Sequence, residues 1–133
     1  MASELRVNTL KDAAGNNSIG LSFVAEGSAK AWCNVDGTAT FDSSDTEIRD
    51  SFNVGSTVDH ANGEVIVSFT SNMNNVNYSV SLGAKQTDDS NASGTDTQPS
   101  TLAQGSYRII TNNASFAKTD CALNFSTVHG DLA

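Results

Sequence analysis

The sequence predicts an all-β protein, an antiparallel β-sandwich of about 7–9 strands behind an extended N-terminal segment. Three observations lead there. Apolar residues alternate with period two in several stretches, which places them on one face of a strand. Asp-Gly and Asn-Gly pairs stand where tight hairpin loops would fall. Helical periodicity is weak throughout.

From the N-terminus, residues 3–14 admit two readings. Leu10, Ala13 and Ala14 lie at helical spacing behind a Ser3 cap, whereas Leu5, Val7 and Thr9 alternate like a strand. The β-branched Val7 and Thr9 favour the extended form. Gly15-Asn16-Asn17 then supplies residues that tolerate a turn. Residues 1–20 therefore read as a lead-in or attachment segment, and residues 21–133 as the sandwich domain. Residues 21–25 are the weakest strand candidate.

Asp36-Gly37 separates apolar runs at 29–35 and 38–41 as a two-residue type I′ hairpin loop would, with positive φ at both positions. A strand is expected at 48–54. Asn62-Gly63 is a second turn signal, leading into Val65, Val67 and Phe69 at alternate positions. Val76, Tyr78, Val80 and Leu82 alternate likewise, as do Cys121, Leu123, Phe125 and Thr127. Another strand is expected at 107–111. Residues 86–104 are almost wholly Ser, Thr, Asp, Asn, Gln and Gly, and read as a long polar loop holding the single proline, Pro99.

The chain of 133 residues fits one domain. Its 38% apolar content and mean hydropathy of -0.27 predict a thin core that contact with other subunits would supplement. The formal charge is -8, and the seven basic residues are scattered singly. Phosphate backbones need clustered Lys and Arg, so nucleic acid and anionic membranes are not expected partners. The sequence shows neither the apolar core of a signal peptide nor a run long enough to span a bilayer, which predicts synthesis in a cytoplasm.

Chemistry-bearing patterns are sparse, so no catalytic residue, cofactor or metal is expected. His60 and His129 are the two imidazole bases, and both read as exposed. No Gly-x-Ser-x-Gly elbow occurs. The acidic run from Asp42 to Glu47 lacks the glycine of a calcium loop and reads as a solvated hairpin end. Cys33 and Cys121 read as small buried residues. Trp32, flanked by strand residues, reads as a core or interface anchor in preference to a sugar-stacking platform.

Three segments together resemble a domain of phage tail fibres and related virion appendages, of the kind found in phages of cyanobacteria and other marine bacteria. They are Ala29-Lys30-Ala31-Trp32-Cys33-Asn34, Glu47-Ile48-Arg49-Asp50-Ser51-Phe52-Asn53-Val54 and Met73-Asn74-Asn75-Val76-Asn77-Tyr78-Ser79-Val80. The opening Ser3–Gly15 and the close from Phe125 to Ala133 are similar too. The resemblance implies a β-sandwich virion module, commonly a homotrimer, which contacts other virion proteins and displays loops to a bacterial surface glycan or protein. It departs from a full fibre in lacking a shaft, and Cys33 stands where valine is expected. Oligomer or virion contacts are then expected at Leu5, Val7, Leu10 and Trp32, and host contact at Asp88, Asp89, Asn91, Asp96 and Gln98. A capsid decoration or head-fibre protein is the alternative; a glycan-degrading tail enzyme is a third.

Overall fold

The computed structural model describes residues 6–42, 47–86 and 96–133, the side chains of 96–98 excepted. Among them are ten strands and one short helix: β1 (Thr9–Lys11), β2 (Ser18–Gly20), α1 (Leu21–Gly27), β3 (Ala31–Val35), β4 (Ile48–Phe52), β5 (Val54–Ala61), β6 (Glu64–Phe69), β7 (Ser79–Lys85), β8 (Asp96–Ala103), β9 (Ser106–Asn112) and β10 (Leu123–His129). Eight strands form two antiparallel four-stranded sheets, ordered β4-β3-β10-β7 and β5-β6-β9-β8, while β1 and β2 pair as a separate hairpin. The expected all-β sandwich is the architecture found.

Alternation builds the core. Ala31, Cys33 and Val35 of β3 face Val65, Val67 and Phe69 of β6 and Tyr107 and Ile109 of β9 across the inter-sheet space. Val128 of β10 closes it beside Met73 and Tyr78 from the β6–β7 connection. Phe69 meets Tyr78 edge-on at 5.8 Å and Tyr107 in a tilted contact at 5.5 Å. The Tyr78 hydroxyl lies 2.8 and 2.9 Å from the carbonyls of Ala103 and Ser106, so the approach to β7 is pinned to the β8–β9 turn.

Several expectations are corrected. Residues 21–25 are helical, not strand: α1 has no buried residue and no side-chain cap at Gly20. Asp36-Gly37 makes no hairpin, because β3 pairs with β4 further along the chain, Trp32 opposite Phe52. Instead Asp36 Oδ1 accepts from the N–H and hydroxyl of Thr38, at 3.0 and 2.7 Å, in a local side-chain turn. Gly37 is there for space: a Cβ would stand 2.8 Å from the Cys121 carbonyl oxygen. Asn62-Gly63 does join β5 to β6, with positive φ at Gly63 alone of the pair. The single strand expected at 48–54 is interrupted at Asn53, whose φ of 55° ends β4 and lets β5 begin in the other sheet.

The strand foreseen at 76–82 begins only at Ser79. The polar loop expected at 86–104 gives way at Asp96 to β8, an edge strand whose backbone ladder to β9 needs no apolar side chains. Pro99, expected in a loop, lies in this edge strand opposite Ile109, where a missing donor is tolerated.

Candidate functional site

Two polar clusters inside the sandwich explain much of its titratable chemistry, and both are structural. Cys33 Sγ lies 3.0 Å from Ser126 Oγ, which lies 2.5 Å from the Tyr107 hydroxyl. All three residues are buried. Burial pushes the Cys33 thiol up from its ordinary range, and burial with the neighbouring thiol pushes the Tyr107 phenol up. These are therefore neutral hydrogen-bonding groups tying β3, β10 and β9 together.

Glu64 is the second centre, which no sequence pattern pointed to. Its buried carboxylate takes the guanidinium of Arg108 at 2.8 Å and the ammonium of Lys118, with His60 Nε2 at 3.8 Å. His60 is half exposed, as expected, but acquires this acidic neighbour. Glu47, read as part of a solvated loop, is instead buried; its Oε1 accepts the Thr57 hydroxyl at 2.6 Å. Among the described residues, no three His, Cys, Asp or Glu side chains gather as metal ligands. Cys33 and Cys121 are both free and buried, as the sequence suggested.

The outer face of the β4-β3-β10-β7 sheet is different in kind. Side chains alternate, so if Ala31, Cys33 and Val35 point inward, Trp32 points out. Register then places Phe52 of β4 directly opposite Trp32, and Thr127 of β10 on its other side. Two residues along β10, Phe125 lies between Asn34 and Gly83. A Cβ on Gly83 would sit 3.6 Å from the Phe125 ring, so this ring leans over the glycine. Phe52, Trp32 and Phe125 are 53%, 37% and 43% exposed. Half-buried Leu123 continues the patch, and Asp50, Asn34, Ser81 and Ser79 rim it. Cross-strand aromatic neighbours this exposed on one sheet make an apolar surface patch outside the core.

A second apolar surface lies on the N-terminal arm, residues 6–27. Asp12 shapes its hairpin turn: the carboxylate accepts from Asn17 Nδ2 at 2.8 Å and from the Asn16 N–H at 2.9 Å. These bonds, the Asn17 side chain first, hold the carboxyl below its usual range. Leu10 and Ile19 pair across β1 and β2, and Leu10, Ile19, Phe23 and Val24 all remain exposed.

Of the expected contact residues, then, Trp32 and Leu10 are surface-exposed, and Val7 is half-buried. Leu5 lies outside the described residues, as do Asp88, Asp89 and Asn91. Asp96 and Gln98 are placed in β8, opposite Asn112 and Ile110. Sequence reasoning missed Phe52 and Phe125 as surface residues. Strand alternation assigned Phe125 to an apolar face without saying which sheet face was covered. No family model, curated protein or solved structure matches the chain. Among the described residues no helix is long and apolar enough to cross a membrane.

Proposed function

We propose that the chain is a non-catalytic structural module of a virus particle, similar to the distal domain of a phage tail fibre. It works in several copies, and its polar loops meet the surface of a bacterial host. One observation carries the reading: the aromatic row Phe52–Trp32–Phe125 stands uncovered on a folded sandwich. Five of the nine aromatic residues are exposed in a single copy, adding Phe23 and Phe116 to that row. A domain with so little apolar material does not spend it on solvent unless another surface covers it. The segments that carry the resemblance support the same face, since the first contributes Trp32 and the second contributes Phe52, which stand opposite each other in β3 and β4.

Mass spectrometry of purified particles, with binding of the isolated protein to host cells, tests this. The expected result is a stoichiometric virion component that adheres to host cells. Copies spread over every capsid facet would favour decoration of the head. Absence from particles, or release of oligosaccharide from host polysaccharide, would overturn the proposal.

A further inference from the structure

We infer that residues 6–27 are an assembly arm, and that the arm of one copy docks on the outer face of the β4-β3-β10-β7 sheet of a second copy. This deepens the proposed function and rests on its premise that the chain works in several copies.

The arm is a fold fragment without a core. A lone two-stranded hairpin and a two-turn helix are each marginal in water. Here β1, β2 and α1 pack on one another more than on the sandwich. The link at Lys30 is local: its ammonium holds the Ala25 carbonyl oxygen and, at 3.0 Å, that of Ser28. Leu10, Ile19, Phe23 and Val24 thus need a cover that their own subunit does not give.

Charge selects the occupant. Residues 1–30 hold three basic groups (Arg6, Lys11, Lys30) and three acidic ones (Glu4, Asp12, Glu26), so the arm and its link are neutral. The whole charge of -8 therefore resides in residues 31–133. Sandwich against sandwich would bring two strongly acidic bodies together; a neutral arm on an acidic sandwich avoids that. Two of the three rings on the face are phenylalanines without a hydrogen-bonding group, which suits the dry apolar centre of a protein–protein contact.

A contact of arm on face is head-to-tail, and it closes into a ring if the rotation allows.

The test uses the full chain in sedimentation velocity, with an arm variant, Leu10→Asp/Phe23→Asp, and a face variant, Trp32→Ser/Phe125→Ser. All four sites are exposed, and circular dichroism checks that each variant is folded. Wild type is expected to associate, and each variant to weaken association at least about 30-fold. An equimolar mixture of the two variants is expected to form a one-to-one dimer and nothing larger, because one intact arm then meets one intact face. The arm variant is also expected to red-shift the emission of Trp32, the single tryptophan, without altering that residue. An arm variant that associates as wild type does would establish a face-to-face contact and overturn the arm; a mixture that stays monomeric while wild type associates would show that arm and face do not meet, and would overturn it too. A wild type monomeric at high concentration would overturn it as well. If that monomer is still found in particles, the virion role stands without the arm.

Discussion

Two glycines with positive φ show how differently one substitution acts at two places. Gly63 has φ 70°, and a Cβ there would stand 2.5 Å from the Thr119 nitrogen and 2.6 Å from the Thr111 carbonyl oxygen. Both neighbours are backbone and cannot swing away. Gly63→Ala is expected to cost about 3 kcal/mol or more, joining left-handed strain to a clash. Gly15 has φ 74° but nothing within 4 Å, and it lies on the arm. Gly15→Ala should leave the unfolding free energy of the sandwich unchanged within about 0.5 kcal/mol. Urea denaturation followed by tyrosine and tryptophan fluorescence measures both. The buried hydroxyl–thiol cluster gives a pH dependence as well. Cys33 and Tyr107 are raised from ordinary values of 9.0 and 10.0, so the folded state keeps protons that the unfolded state gives up. Their contribution is complete below those ordinary values and is lost as pH climbs past them. The thermal midpoint should therefore fall above about pH 9. Tyr107→Phe, which removes one of the titrating groups, should make that fall shallower.

Elements are held in register by groups the sequence does not advertise. The Glu64 carboxylate sits at the start of β6 and draws Arg108 of β9 and Lys118 beyond it to one point. Arg108 is the more enclosed cation, its side chain 23% exposed against 51% for Lys118. Arg108→Met should cost about 2 kcal/mol, since it strips a buried carboxylate of its better partner. Lys118→Met should cost less than about 1 kcal/mol. Adding Glu64→Leu to Arg108→Met should recover most of the loss, which a double-mutant cycle in urea would read. Strands with one apolar face, β6, β9 and β10, were legible because alternation survives in the sequence. Edge strand β8 was not, because its order comes from the backbone ladder to β9 while its composition is that of a loop. Helix α1 was equally hidden, being two turns long and burying nothing. The aromatic face could not be read at all: Trp32, Phe52 and Phe125 lie far apart in the chain, and only the β4-β3-β10 order brings them together. Trp32 alone drew attention, as an isolated tryptophan in a strand.

At the scale of the whole molecule, repulsion opposes both folding and assembly. A sandwich carrying the full charge of -8 repels itself when compact and repels its copies when they approach. Raising ionic strength from about 0.01 M to about 0.15 M shortens the screening length from about 30 Å to about 8 Å, which removes most of that long-range term. The enclosed Glu64–Arg108 pair is screened far less, because little solvent reaches it. Added sodium chloride should thus raise the thermal midpoint and tighten self-association together. Calorimetry and sedimentation on the same salt series measure the two effects. A contact built from ion pairs would give the opposite sign, weakening as salt rises while the fold gained stability. Association that strengthens with salt belongs to an apolar contact, such as Phe23 and Leu10 of a neutral arm seated on Trp32, Phe52 and Phe125, that leaves only the longer-range repulsion between the acidic sandwiches to be screened.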